Sequence, residues 1–468
     1  MSERPAYRRW PWLLAAGAIV LYFLSTFVEI RAPRDWDRRP PGSADDIARL
    51  GERGDLNLLF VLIDTLRADR LGSYGYARDT SPTLDRLAAS GVRFARHLAQ
   101  SSWTKTSMAS LWTGLYPART GIMRFDQVLP AEARLPAEIL KQAGFQTVGL
   151  YRNGWVGPTF GFDQGFDLYQ RPIAPPPPRS IRRENPTISE AGTDEATIAA
   201  ALEFLRLRGR ERWFLYLHLM DVHEYLYDEE SALFGVHYSD VYDNSIRWTD
   251  GVLEALFSSL AESGYLENTL VVVTSDHGEG FGEHGFEGHA RKLYREATEI
   301  PLLLFFPFRL EPGVVVESRT QSVDVWPTLY DLLGLEHPAA DGRSRLPEIL
   351  ARARGETLPE AQEPAIAQLD QTWGRPHEPP KPTLAVSEGA LRYVRIVQDS
   401  GVLEQLFDAS DDPTELRDRA REDPESVKRL SAAADAYLEL QPAWSEVPTR
   451  EISELELGHL RALGYAVP

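Results

Sequence analysis

The chain has 468 residues, enough for one large domain or for a domain with a smaller companion, and its 43% hydrophobic content suits a globular body with a substantial core. A net charge of −19 argues against a nucleic-acid binder, because a phosphate backbone needs a basic surface, although a bound metal can still reverse the local field for an anionic substrate. The absence of cysteine excludes disulfides, thiolate metal ligands and a cysteine nucleophile.

At the N-terminus, Arg8 and Arg9 precede an uncharged run from Trp10 to Val28. A bilayer takes about 20 apolar residues, so residues 10–30 are expected to form a transmembrane helix. Residues 1–9 then form a cytoplasmic tail, and the bulk of the chain lies outside the cytoplasm, periplasmic or extracellular. A cleaved signal peptide is the rival, disfavoured by the length of the run and the lack of an Ala-x-Ala site. Residues 31–55, rich in Arg, Asp, Pro and Gly, read as a linker.

The run "LNLLFVLID" reads as a buried strand ending at Asp64. "SPTLDRLAASGVRF" reads as a helix capped by Ser81, with Pro82 in its first turn and Gly91 at its end. "LPAEILKQAGFQTVGLY" reads as helix, glycine turn and strand. The order recurs in "ATIAAALEFLRLRG" with "WFLYLHLMD", and in "WTDGVLEALFSSLAESGYLENTLVVVTSD". Such alternation predicts an α/β body over 56–350, a mostly parallel central sheet with helices on both faces. "RPIAPPPPRSIRRENP" interrupts it as an extended surface loop, and "SVDVWPTLYDLLGL" starts a further helix. Residues 351–382 read as a connector. A hairpin in "ALRYVRIVQDSGVLEQLFD" and a helix in "ESVKRLSAAADAYLEL" make 383–468 a small C-terminal α+β subdomain.

Open parallel sheets bind ligands beyond the carboxyl ends of their strands. Asp64 ends one predicted strand, Asp221 and His223 follow another, and Asp276 and His277 a third. The loop after them adds His284, His289 and Lys292. Asp and His at strand ends suit a divalent ion, although a single such Asp is more often a turn or helix cap. His218 sits inside a strand pattern and reads as a core histidine; His97 and His237 lack any functional context. "GEGFGEHG" mimics a dinucleotide loop, but it comes late in the chain and no helix signature follows.

The stretch "SSWTKTSMASLWTGLYP" leaves two readings open for Thr104. It is a helix N-cap, or its hydroxyl, held against a divalent ion by Asp64, Asp276 and His277, is a nucleophile at a helix start that also favours anions.

Taken in order, "VLIDTLRADRLGSYGYARDTSPTLDRLAASGVRF", "WTKTSMASLWTGLYPARTGI", "SDHGEGFGEHG", "LYREATEIPLLLF", "SVDVWPTLYDLLGL" and "DGRSRLP" resemble the sulfatase branch of the alkaline phosphatase superfamily over about residues 56 to 340. "LFDASDDPTEL" and "LRALGYAVP" are similar to late family segments. This resemblance implies metal ligands at Asp64, Asp276 and His277, with Thr104 as nucleophile and fourth ligand. It implies substrate contact or leaving-group protonation at His223 and His289, and anion binding at Lys105, Asn153 and Lys292. The chain also departs from the family pattern. Formylglycine sulfatases read Cys or Ser-x-Pro-Ser-Arg where this chain has Thr104, Lys105, Thr106, Ser107 and Met108. Their Asp-Asp pair is here Asp64 and Thr65, and their Lys before Trp-His is Arg152 followed by Asn153.

A threonine cannot become the formylglycine aldehyde, so a sulfated Thr104 would need a second attack to be released. Nucleotide phosphodiesterases and phosphoethanolamine or phosphoglycerol transferases resemble the threonine pattern, which adds weight to phosphate and phosphonate esters. The expectation is a membrane-anchored hydrolase of phosphate, phosphonate or sulfate esters, glycan- or lipid-linked, with one divalent ion: zinc, manganese or calcium. A transferase acting on envelope glycan or lipid, and an inactive binding protein of the same fold, are its alternatives.

Overall fold

In the computed structural model, residues 14, 36–172, 192–356, 363–375, 377–452 and 457–458 are described. The described residues of 39–468 form one compact unit; of residues 1–38 only 14 and 36–38 are described. The span expected over 10–30 therefore lies outside the described residues except for residue 14, as does the loop read over 171–186 from residue 173 on. Among the described residues no helix is long and apolar enough to cross a membrane.

From residue 36 on, the first described helix is α1 (Ala44–Ala48), where Ser43 and Asp46 form a reciprocal capping box. Strand β1 (Asn57–Ile63) is buried along its whole length, as its continuous apolar run requires. Helix α2 (Pro82–Ala88), strand β2 (Val92–Leu98), helix α3 (Thr104–Thr113), helix α4 (Pro136–Gln142), and strands β3 (Gln146–Leu150) and β4 (Leu168–Gln170) follow. Next come α5 (Asp194–Arg208), β5 (Trp213–Leu219), α6 (Tyr238–Glu262) and β6 (Thr269–Thr274). Strands β7 (Leu302–Phe305) and β8 (Val314–Gln321) lead to α7 (Val325–Leu333) and α8 (Leu346–Ala353).

Among the described residues the main sheet has nine strands, in the order β8-β2-β7-β6-β1-β5-β3-β4, with the short strand Glu299–Ile300 beside β2. Pairs β6-β1, β1-β5, β5-β3, β3-β4 and β8-β2 are parallel. Strand β7 runs antiparallel to both neighbours, so the sheet is mixed but mostly parallel. A second, antiparallel sheet contains β9 (Ala365–Asp370), β10 (Pro382–Glu388), β11 (Leu391–Gln398) and β12 (Gly401–Asp408), with helix α9 (Pro424–Leu438).

Two stretches read as connections carry regular structure. The segment 31–55 includes α1, and its Ile47 and Leu50 are buried in the main core. The segment 351–382 includes β9, which is fully buried and pairs with β10. Arg, Asp, Pro and Gly dominate the first segment and Ala, Glu and Pro the second, yet a few apolar side chains in each suffice to dock them.

Aromatic rings seat α3 on the sheet. Trp112 on α3 lies 5.6 Å from Phe60 on β1, 4.9 Å from Tyr216 on β5 and 5.3 Å from Trp326 on α7. All ten α3 residues are buried, so the helix has no solvent face. Pairs of this kind contribute about 0.5–1.5 kcal/mol beyond their buried area, which holds α3 in one position against the strand ends.

Candidate active site

Four adjacent parallel strands, β6-β1-β5-β3, end at one sheet edge. Beyond their carboxyl ends come Asp276 and His277, Asp64, Asp221 and His223, and Arg152 and Asn153 respectively. Asp64, Asp276 and His277 are all completely buried, and each offers one ligand atom within 4.8 Å of the others.

The local backbone holds these groups still. Thr65 has φ +62, a sparsely populated conformation for a β-branched residue, and its N–H donates to Asp276 Oδ1 at 3.2 Å. Gly278 lies so close to Glu296 that a Cβ there would approach its carbonyl oxygen to 2.0 Å. Ser107 Oγ donates to the Asp276 carbonyl at 2.6 Å, which ties α3 to the same loop.

Thr104 is the first residue of α3, and Trp103 holds the N-cap position. The capping reading is therefore set aside. Thr104 Oγ1 lies 3.1 Å from His277 Nε2, and Asn153 Nδ2 donates to it at 3.4 Å. Asn153 also donates to Asp64 Oδ2 at 2.7 Å, so it bridges nucleophile and ligand candidates.

The donor set fits a divalent ion. Asp64 Oδ1 and Asp276 Oδ2 are buried without a hydrogen-bond partner, the costly condition that a cation relieves. Burial and the charge of Asp64 push the Asp276 carboxyl up. Burial opposes ionisation at Asp64 too, but His223, His218 and His277 hold its carboxyl well below the usual range. His277 Nδ1 lies 3.0 Å from the Gly278 carbonyl, an arrangement that places the proton there and leaves Nε2 as a ligand atom.

His223 and His289 also reach the site. Their rings lie 5.0 Å apart, and His289 stacks on His277 at 4.6 Å. Burial lowers His223 to about 4, so it is neutral near pH 7. Burial also acts on His289, but Glu279 outweighs it and raises its pKa.

Two residues, Lys105 and His284, fall elsewhere. Lys105, expected to bind the anion, is a completely buried residue of α3; Nζ donates to the carbonyls of Arg124 (3.1 Å) and Phe125 (2.7 Å) and lies 3.9 Å above the Phe160 ring. One residue along a helix turns a side chain by about 100°, so Lys105 cannot face where Thr104 faces. His284 sits between Glu296 (2.7 Å) and the Glu415 carbonyl (2.8 Å), where it links the main body to the C-terminal part. Lys292 is half-buried and makes no hydrogen bond or ion pair with any described residue.

Other groups join the site without having been singled out by sequence. His218, read as a core histidine, is buried, but its Nε2 is 3.0 Å from Asp64 Oδ2 and Tyr216 OH is 2.7 Å from its Nδ1. Arg152 lies in a buried network with Asp194, Asp221 and Glu224, and Trp248 Nε1 donates to Asp221 Oδ2 at 2.8 Å. That network fixes the chain on either side of Asn153 and His223. Glu279 lies against His289, two residues beyond His277.

Residues 56–335 match the family model described as Sulfatase. Arylsulfatase K of Xenopus laevis is 23% identical over 415 residues, which cover 75% of this chain and 76% of that protein. Delta 4,5-hexuronate-2-O-sulfatase of Bacteroides thetaiotaomicron is 24% identical over 450 residues, covering 82% and 88%. Among solved structures, the phosphonate monoester hydrolase of Agrobacterium radiobacter aligns with a TM-score of 0.62 at 20% identity, over 81% of this chain and 94% of that one.

Proposed function

The chain belongs to the sulfatase family of ester hydrolases, and from that premise we propose that it cleaves phosphate, phosphonate or sulfate esters with Thr104 as the attacking group. One observation carries the reading: a threonine hydroxyl lies 3.1 Å from His277 Nε2, within a completely buried Asp64, Asp276 and His277 cluster. Asp64, Asp276, His277 and Thr104 would hold a divalent ion: zinc, manganese or calcium. Such an ion supplies positive charge beside the Thr104 hydroxyl and the oxygens of the ester.

The protein's own groups do the remainder. Asn153 donates towards Thr104 and orients its oxygen. His289 donates a proton to the departing alcohol, while His223, held neutral by burial, contacts the substrate. Lys292 offers a cation with no competing partner among the described residues. Because a threonine adduct has no aldehyde route of release, a second attack, by water, must free the acid. This requirement favours phosphate and phosphonate over sulfate, although the family resemblance keeps all three in the test panel. We place the catalytic body outside the cytoplasm and anchored by residues 10–30, on the strength of Arg8 and Arg9 before the apolar run.

Turnover of aryl phosphate, phosphonate and sulfate esters by Thr104→Ala tests the reading. Loss of about a thousandfold or more on every ester turned over by the wild type supports it. Wild-type turnover overturns it.

A further inference from the structure

Glu279 is 2% exposed, yet no arginine or lysine pairs with its carboxylate among the described residues. Its partners are instead a histidine and a tyrosine. His289 Nδ1 lies 3.3 Å from Oε2 and 3.4 Å from Oε1, and Tyr225 OH donates to Oε2 at 3.0 Å. Tyr225 OH in turn contacts Tyr238 OH at 2.6 Å. A carboxylate facing Nδ1 puts a proton on that nitrogen and leaves Nε2 as the atom that exchanges protons with a substrate.

The backbone on both sides of this pair is clamped. The carbonyl of Glu279 accepts from Arg67 Nη1 at 2.9 Å, and its N–H donates to the Glu296 carbonyl at 3.0 Å. Ala290, directly after His289, has φ +56; its N–H donates to the Ser102 carbonyl at 2.7 Å, and its carbonyl accepts from Trp373 Nε1 at 3.2 Å. Ser102 lies two residues before Thr104, so one clamp sets His289 against the nucleophile segment. A left-handed alanine persists only where its surroundings over-determine it, and here they fix the residue next to His289. Tyr225 shares that conformation, with φ +53.

We propose that Glu279 is the positioning residue that holds His289 for proton delivery to the leaving alcohol. The inference rests on the nucleophilic role of Thr104. In the first step the Thr104 oxygen, its proton already released to solvent, forms a bond to phosphorus or sulfur. The bond to the alcohol oxygen breaks, its electron pair stays on that oxygen, and His289 Nε2 supplies the proton. In the second step water attacks and gives a proton to His289 Nε2. The bond to Thr104 then breaks, with its electron pair returning to the threonine oxygen. Glu279 keeps its charge throughout and fixes the ring through Nδ1.

A departing oxygen needs protonation only if it is basic, and this supplies the test. The full-length chain is assayed on a 4-nitrophenyl ester, a good leaving group, and on the matching alkyl ester. Positioned general acids contribute about 10²–10⁴-fold. Glu279→Gln is expected to lower kcat/KM for the alkyl ester by about a hundredfold or more, and for the nitrophenyl ester by under about threefold. His289→Gln should show the same pattern, and the double variant should be no slower than His289→Gln alone. Metal content and melting temperature measured beside the rates report whether Glu279→Gln remains folded and loaded. Equal losses on the two esters, or multiplying losses in the double variant, overturn the proposal. Thr104→Ala in the same assay separates the readings: if it is inert while Glu279→Gln is indifferent to the leaving group, the nucleophile stands and the positioning role fails.

Discussion

Asn153 shows how much one residue decides in this site. Its side-chain amide reaches Asp64 Oδ2 at 2.7 Å and Thr104 Oγ1 at 3.4 Å, so it fixes the spacing between the ends of β1 and α3. Asp64 and Asp276 are its counterparts on the charge side, each with one buried oxygen lacking a hydrogen-bond partner. Replacing either with Asn removes a charged ligand atom and keeps the shape. Asp64→Asn or Asp276→Asn should therefore lower the divalent ion recovered with the purified protein below half of the wild-type ratio, as read by elemental analysis. Unchanged stoichiometry in both variants would contradict the ligand assignment. Chelation should act in the same direction on stability, because an ion that binds only the folded state adds about 2.7 kcal/mol at a hundred times its Kd. A melting temperature that falls on chelation and recovers on adding zinc, manganese or calcium is the expected result.

At the level of elements, the site is the meeting of four strand ends with the start of α3. Trp112 anchors that helix against Phe60, Tyr216 and Trp326. Trp112→Ala should cost about 3–5 kcal/mol in urea unfolding, with a loss of activity larger than the loss of folded protein, because Thr104 shares the helix. The strand ends were legible in the sequence: apolar runs stop at Asp64, Asp221 and Asp276, and helical repeats separate them. The family likeness added the fourth-ligand role of Thr104 and the substrate-side role of His289. Other contacts were not legible, for physical reasons. His218 contacts Asp64 only because parallel pairing places it beside Leu62, two residues earlier, and register is a tertiary fact. Lys105 was misread because burial under an aromatic cluster is invisible in a hydroxyl-rich string. Arg152 is held by acids from two distant segments, Asp194 in one and Asp221 with Glu224 in the other, which no local spacing reveals. The signal for Glu279 was within reach: an acid two residues past His277, in a loop already singled out.

Across the molecule, the second sheet is part of the same core as the first. Buried residues of β9, β10, β11 and β12 join the main cluster, and Trp373 Nε1 reaches the Ala290 carbonyl beside His289. Acid stability is a property of this whole. His97, on β2, is 1% exposed, has its Nδ1 2.9 Å from Thr320 Oγ1 on β8, and is pushed down to about 3 by burial, helped by the charge of Arg345. The folded chain thus keeps His97 neutral where the unfolded chain, with a pKa near 6.5, takes up a proton. Its contribution is fully present above about pH 6.5 and is lost as pH falls from there towards 3. His97→Gln should flatten the dependence of unfolding free energy on pH between 6 and 4, by at most about 1.4 kcal/mol per pH unit; parallel slopes would refute this. The central claim, that a threonine at the sheet edge attacks the ester, is tested most directly by acid-quenching the enzyme during turnover of a phosphate ester and mapping the adduct by mass spectrometry. The account predicts a phosphate on Thr104, absent in Thr104→Ala. An enzyme turning over with Thr104 never modified, or with the phosphate on another residue, would contradict it.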